Sequence, residues 1–241
     1  MDVGEHIEQL AEHGPSLAEA AGRAGWDASV PGTRWTVRDL VTHVGGIHRW
    51  AADIVETRAT GFGTDAGRAV GSGPDDAELI DWFLAGHTVL VDALCRAPDD
   101  LKCATFLPAA SPRAFWARRQ AHETAIHRAD AAAAAGERTR FAAGFAQDGI
   151  AEMLHGFARR KSNSVGYEAT ISLRASDGPS WLITLGGERI DARESDSPGQ
   201  ATLAGTSSDL YLWLWNRPSA AALTGDPEAA GLWRNVRVRW G

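Results

Sequence analysis

One segment of the chain, RRQAHETAIHRADA, is dense in residue types that bind metals. A zinc-protease helix requires two histidines four residues apart with a glutamate after the first, but His122 and His127 are five apart. At 100° per residue, Glu123, His127 and Asp130 share one stripe of a helix. His122 falls on the other side. The spacing therefore excludes the protease motif and leaves Glu123 and His127 as an i, i+4 pair.

The same pair also has an ordinary interpretation. Glu–His pairs at this spacing are common on solvated helix faces, where each contributes a few tenths of a kcal/mol. Trp116 lies on the same stripe, however, which indicates that the stripe faces inward. Buried Glu, His and Asp side chains are costly unless they are paired or bind a metal. The stripe is therefore a candidate metal site, although two ligands alone do not make one.

A third ligand is needed from another helix, because a catalytic zinc usually has three protein ligands and a water. The candidates are His43 and His48 on one predicted helix and His87 on the next. The helical wheel does not separate His43 from His48. His87 lies on an apolar face, where a hydrogen-bonded core histidine is the commoner interpretation. The residues alone leave this choice open.

The composition bounds the class of protein. The chain has 241 residues with 44% hydrophobic and 23% charged residues, which is typical of a globular protein of one large or two small domains. The net charge of −7 and the lack of a basic run argue against a nucleic-acid partner. No apolar run reaches eighteen residues, so no membrane span is expected. The amino terminus lacks a secretory pattern, which favours a cytoplasmic location.

Helical periodicity dominates the chain before about residue 162. Thr36 is a predicted N-cap with Asp39 as its capping-box partner. The predicted helices are a segment near the start broken by Pro15, the segment after Thr36, about Asp76 to Arg96, one opened by Ser111-Pro112, and about Phe145 to Arg160. We interpret these segments as a helical bundle over residues 1–161.

After residue 162, the spacing of apolar residues shortens from a helical to a strand-like period. YEATISL, WLITLGG and ATLAGT are short strand-like runs, and a turn-rich connection separates the first two. SSDLYLWLWN is a predicted helix that Pro218 stops, and Asp226-Pro227 opens a last one. Residues 162–241 are therefore predicted to form a small α/β domain, which makes the whole chain α+β.

Two motifs in order, TRWTVRDLVTHVGGIHRWA and RRQAHETAIHRADA, resemble those of the mycothiol-dependent maleylpyruvate isomerase family. ATLAGTSSDLYLWLWNRPSAAALTGD is similar to that family's second domain. The likeness covers nearly the whole chain and is weakest over residues 57–110. It implies a DinB-like four-helix bundle followed by a small SCP2-like α/β domain.

The resemblance also implies a site. His43 matches the histidine of the family's LV-x-H motif, and Glu123 and His127 match its Glu-x-x-x-His pair, so these three are the implied metal ligands. Asp130 matches the acidic residue that follows and is expected to orient a ligand or the cofactor's polar groups. Arg217 matches an arginine expected to hold a substrate carboxylate.

Two features of the sequence bear on the substrate. Where the family commonly has Trp-Gly-Arg, this chain has Trp215-Asn216-Arg217, and a side chain in place of glycine is expected to narrow the pocket. No cation is evident on the metal stripe itself, so Arg217 is the expected anion-binding group.

The function implied is activation of an external thiol, mycothiol, at a divalent metal, most simply zinc. Coordination to zinc stabilises a thiolate, which would add to an activated cis double bond, allow rotation and then leave. The implied partners are mycothiol and a small carboxylate-bearing substrate, with a monomer or small homo-oligomer expected. The alternatives are a mycothiol S-transferase and a non-enzymatic protein with a structural metal.

Overall fold

The protein is described from a computed structural model, which covers residues 1–62, 73–160, 163, 168–186 and 190–236. Its contacts divide the chain into two compact units, Met1–Thr139 and Arg140–Gly241. The predicted domain boundary between residues 161 and 162 lies outside the described residues and stays a prediction.

The described residues of the first unit form four long helices. They are α1 (Val3–Ala24), α2 (Val37–Thr57), α3 (Asp76–Arg96) and α4 (Pro112–Ala134). α1 packs mainly against α4, and α2 packs mainly against α3. Apolar side chains from α1, α2 and α3 and alanines of α4 share one core cluster. The four-helix bundle that the sequence predicts is therefore confirmed.

The start of α2 is determined by the predicted capping box. The Asp39 amide donates to Thr36 Oγ1 at 3.2 Å, and the Thr36 amide donates to Asp39 Oδ2 at 2.9 Å. These two bonds satisfy backbone donors that would otherwise lack partners at a helix amino terminus. The helix that carries His43 therefore begins at a fixed residue.

The predicted break of the first helix at Pro15 is wrong, because α1 continues through it. Proline removes one backbone hydrogen bond and normally kinks or breaks a helix interior. Buried apolar residues lie on both sides of it, Ile7 and Leu10 before and Leu17 and Ala21 after. Burial of this apolar face of α1 stabilises the helix by more than the proline destabilises it. Periodicity alone could not show this.

Close packing between α2 and α3 depends on Gly45, two residues after His43. A Cβ built on Gly45 would lie 2.2 Å from Cζ3 of Trp82. The Trp82 ring cannot easily move away, because the Arg49 guanidinium lies 3.9 Å from its centroid and also donates to the Gly45 carbonyl at 3.1 Å. Glycine at this position lets the two helices approach.

We expect Gly45→Ala to lower the free energy of unfolding by about 1–3 kcal/mol, the usual cost of overpacking a core. Gly22→Ala on α1 is the matched control, because its added Cβ meets nothing within 4 Å. The control should be neutral or stabilising, since alanine is favoured over glycine in a helix. Urea denaturation of both variants measures the difference, and equal stabilities would contradict the packing argument.

The second unit contains a helix followed by a mixed sheet. α5 (Ala143–Glu152) continues into a π-helical turn, Met153–Phe157. Periodicity predicts this helix as part of the bundle, whereas its contacts group it with the second unit. Its partners explain this: Gln147 Nε2 donates to Ser207 Oγ at 2.9 Å, and the Phe145 and Tyr211 rings lie 6.3 Å apart.

The sheet has five strands in the order β3-β2-β1-β4-β5. The strands are β1 (Ala169–Ala175), β2 (Trp181–Leu185), β3 (Asp191–Glu194), β4 (Ala201–Gly205) and β5 (Ala222–Gly225), and only the β1–β4 pairing is parallel. The helices are α6 (Ser207–Leu214) and α7 (Pro227–Gly231), with a 3₁₀ turn at Leu232–Asn235. The α+β class is therefore confirmed. No helix among the described residues is long and apolar enough to cross a membrane.

Candidate metal centre

Three predicted ligands meet in the first unit. His43 of α2 and Glu123 and His127 of α4 each offer a ligand atom, and these atoms all lie within 4.8 Å of one another. Glu123 Oε1 is 3.2 Å from His127 Nε2 and 3.7 Å from His43 Nε2. We call these three residues the ligand cluster. Two imidazoles and a carboxylate form a donor set suited to zinc with an open position.

The structure separates the histidines that the sequence left as alternatives. His48 is fully buried, with Nε2 2.9 Å from Thr124 Oγ1. His87 lies with Nε2 2.9 Å from the Leu10 carbonyl. Neither belongs to the ligand cluster. His43 is therefore the α2 histidine that lies beside the Glu–His pair, as the resemblance implies.

His122 lies on the opposite side of α4, as the helical wheel predicts. Its side chain is fully buried, and its ring centroid is 6.1 Å from that of His6 on α1. It is not a member of the ligand cluster. A buried histidine on the same helix is thus available as a control for the ligands.

Asp130 fixes the orientation of the His127 ring. Asp130 Oδ2 lies 3.0 Å from His127 Nδ1, and the aspartate is only 3% exposed. A carboxylate at this distance favours the tautomer with hydrogen on Nδ1, which directs Nε2 towards Glu123. Metal-binding histidines commonly donate their second nitrogen to a carboxylate in this way. Asp130 therefore acts on the cluster through His127.

The electrostatics of the cluster favour one negative and one positive group. Burial lowers the pKa of His127, but hydrogen bonds to Asp130 and Glu123 outweigh it and raise the pKa to about 9. Burial raises the pKa of Glu123, yet its hydrogen bonds to His127 and His43 and the charges of His127 and Arg119 hold it well below the usual range. The cluster therefore favours an anionic Glu123 beside a protonated His127.

Arg119 is a site residue that the sequence analysis missed. Its Nη2 lies 3.3 Å from Glu123 Oε2, and the residue is 2% exposed. The expectation that the metal stripe carries no cation was therefore wrong. The signal was present, because Arg119 lies four residues before Glu123 and so on the same helical stripe. The guanidinium contacts Oε2 while Oε1 faces the two histidines.

An indole ring covers the histidines from one side. The Trp35 centroid lies 4.7 Å from that of His43 and 6.0 Å from that of His127. Trp35 immediately precedes the N-cap of α2, so the capping box that begins the helix also positions this ring. The sequence analysis quoted Trp35 within a motif but gave it no role.

Arg217 and Asn216 follow α6 in the second unit. The Asn216 amide donates to the Trp213 carbonyl and the Arg217 amide to the Leu212 carbonyl, both at 2.9 Å, which is a Schellman ending. Asn216 has φ of 57°, in the left-handed region that glycine and asparagine tolerate best. Its side chain is exposed. Asparagine in place of glycine therefore has a backbone explanation.

The Arg217 side chain also participates in this helix ending. Nη1 donates to the Trp215 carbonyl at 2.9 Å, and the residue is partly buried. This contact matches the capping role of basic residues at helix carboxyl termini.

Comparison with known proteins places the chain in a family. The model of the mycothiol maleylpyruvate isomerase N-terminal domain matches residues 7–132, and that of the C-terminal domain matches residues 144–232. The chain therefore belongs to the mycothiol maleylpyruvate isomerase family, as the resemblance indicated. The search of curated proteins gave no match.

Solved structures show the same fold. The crystal structure of the mycothiol-dependent maleylpyruvate isomerase matches with a TM-score of 0.68 and 13% identity, over 95% of this chain and 96% of that one. A histidine-to-alanine mutant of that isomerase matches with a TM-score of 0.68 and 12% identity over the same shares. At this identity the likeness concerns the fold.

Proposed function

We propose that the protein is a mycothiol-dependent metalloenzyme that isomerises a small carboxylate-bearing substrate about an activated double bond. The observation that carries the proposal is the ligand cluster itself, in a chain that belongs to this family. His43, Glu123 and His127 would hold a divalent metal, most simply zinc. The cluster contains no cysteine, so the reacting thiol comes from outside the protein.

The ligand types favour a catalytic metal over a structural one. Structural zinc sites are usually closed by four ligands and are rich in thiolates, whereas catalytic sites have three protein ligands and an open position. The cluster has three ligands, and Asp130 forms a hydrogen bond with one of them, His127. This arrangement supports an enzyme rather than a protein that retains metal only for stability.

The metal would supply stabilisation of a thiolate at neutral pH. Two other side chains of the protein would hold the metal ligands in place. Asp130 keeps Nδ1 of His127 protonated, so Nε2 is the nitrogen that would bind the metal once its own proton leaves. Arg119 contacts the outer carboxylate oxygen of Glu123 and helps to keep this residue anionic. The sulfur would form a bond to one alkene carbon, rotation would follow about the resulting single bond, and expulsion of the thiolate would restore the double bond in the trans form.

Metal binding should release a proton. The His127 pKa is about 9 in the metal-free protein, so Nε2 carries a proton at pH 7 that a metal must displace. We expect the apparent zinc affinity to rise about tenfold per pH unit up to about pH 9 and to level off above it. Calorimetry at pH 7 in buffers of different protonation enthalpy measures this release, and no released proton would contradict the charge state given to His127.

The reaction itself is tested with mycothiol and maleylpyruvate. The zinc-loaded protein should convert the cis substrate to the trans product only when mycothiol is present, and mycothiol should be recovered unchanged. Consumption of mycothiol with formation of a stable thioether would instead indicate an S-transferase. Turnover that continues without the thiol, or without the metal, would contradict the proposal.

A further inference from the structure

The ligand cluster spans two helices that are not each other's main partners. His43 is on α2, while Glu123 and His127 are on α4. α2 packs mainly against α3, and α4 packs mainly against α1. The distance between His43 and the other two ligands therefore depends on whatever fixes α2 relative to α4.

One buried hydrogen bond joins these two helices beside the cluster. His48 Nε2 lies 2.9 Å from Thr124 Oγ1, and both side chains are fully buried. His48 follows His43 by five residues, about 7.5 Å along the helix axis, and Thr124 directly follows Glu123. A shift of α2 along α4 would break this bond and would move His43 relative to Glu123.

The direction of the bond follows from the single hydroxyl hydrogen of Thr124. Thr124 Oγ1 donates that hydrogen to the Gln120 carbonyl at 2.8 Å. His48 must therefore donate from Nε2, which gives the neutral tautomer with hydrogen on Nε2. The ring is held from its other side by α3, because its centroid lies 5.4 Å from the rings of both Phe83 and His87. The donor is thus fixed in place.

We propose that His48 is a positioning residue, which through its hydrogen bond to Thr124 sets the register of α2 against α4 and so preorganises the three ligands. This inference rests on the proposed metal site. It assigns a role to a buried histidine that is not itself a ligand. Substitution of a residue that orients the metal ligands without binding the metal typically lowers metal affinity by roughly 10- to 100-fold.

His87 provides a matched control. It too is a buried histidine whose Nε2 makes an inter-helix hydrogen bond, to the Leu10 carbonyl of α1, but it joins α3 and α1, which carry no ligand. His48→Leu and His87→Leu each remove one imidazole and one such bond. Neither leaves a buried donor without an acceptor, because Thr124 still donates to Gln120. Leucine at position 87 still offers a side chain that packs against the His48 ring, whose centroid lies 5.4 Å from that of His87, so the control keeps His48 packed and its bond to Thr124 intact.

The experiment measures zinc affinity of full-length variants by competition with a chromophoric chelator, beside urea denaturation of the metal-free proteins. His48→Leu should bind zinc roughly 10- to 100-fold more weakly than wild type. His87→Leu should stay within about threefold of wild type even if the two variants lose similar stability. Equal losses of zinc affinity in the two variants, or an unchanged affinity in His48→Leu, would overturn the proposal.

If His48→Leu does not fold, variants of Thr124 test the same hydrogen bond from its other side. Thr124→Val keeps the shape and removes the acceptor, and should weaken zinc binding, whereas Thr124→Ser keeps the hydroxyl and should restore the affinity to within a few-fold of wild type. Weakening in Thr124→Ser equal to that in Thr124→Val would also overturn the proposal. If wild type itself binds no zinc, or His127→Ala binds it equally well, the proposed metal site fails instead.

Discussion

Alanine in place of His127 should weaken zinc binding by about two to three orders of magnitude. Structural zinc sites in small peptides bind with roughly 10–16 kcal/mol, so one of about four ligands accounts for roughly 2.5–4 kcal/mol. His43→Ala and Glu123→Ala should have effects of the same order, because each removes a member of the ligand cluster. Metal content after dialysis against a weak chelator measures the loss.

The control for these variants is His122→Ala. His122 lies on the same helix and is equally buried, but it faces His6 rather than the cluster. It should keep the zinc content of wild type. Full zinc content in the His43 variant would mean that α2 supplies no ligand, and loss of zinc in His122→Ala would mean that the other losses are not specific to the ligand cluster.

Arg217→Ala should lower kcat/KM strongly if the guanidinium binds a substrate carboxylate, as the family resemblance implies. Truncating one partner of a buried charge pair costs about 2–5 kcal/mol, or roughly 30- to 5,000-fold. Arg217→Lys keeps the charge but loses the planar fork, so it should recover little of the activity if binding is bidentate. Zinc content should stay normal in both variants, because Arg217 belongs to the second unit and the cluster to the first.

The structure also gives Arg217 a simpler role that the same variants test. Its Nη1 donates to the Trp215 carbonyl at the end of α6. If this contact is its whole role, both variants should lose some stability and keep wild-type turnover with the correct substrate. That result would mean that Arg217 only caps α6, and no residue of the second unit would then have a proposed role in the reaction.

Much of the helical part of the fold was predictable from local signals. The capping box at Thr36 and Asp39 and the proline after Ser111 fix where α2 and α4 begin. The 100° spacing placed Glu123 and His127 together and His122 apart, because a helix fixes these angles whatever surrounds it. His43 could not be chosen over His48 in the same way, since that choice depends on how α2 lies against α4.

Other features depended on contacts distant in sequence. β3, Asp191–Glu194, has a single apolar residue, and β5, Ala222–Gly225, is exposed throughout, so neither shows the alternation that marks a half-buried strand. The sequence signal for Arg119 was present but was outweighed by the histidines around it. α5 belongs to the second unit because its partners, such as Ser207, follow it by about sixty residues. Periodicity does not indicate contacts at such a separation.

The proposed function requires that the ligand cluster hold a metal to which an external thiol binds. Titration of cobalt-substituted protein with mycothiol tests this, because a sulfur–cobalt bond adds an intense charge-transfer absorption. We expect this absorption to grow to one thiol per metal in wild type and in His122→Ala, and to be absent from His127→Ala. Mycothiol binding that leaves the cobalt spectrum of wild type unchanged would contradict the account.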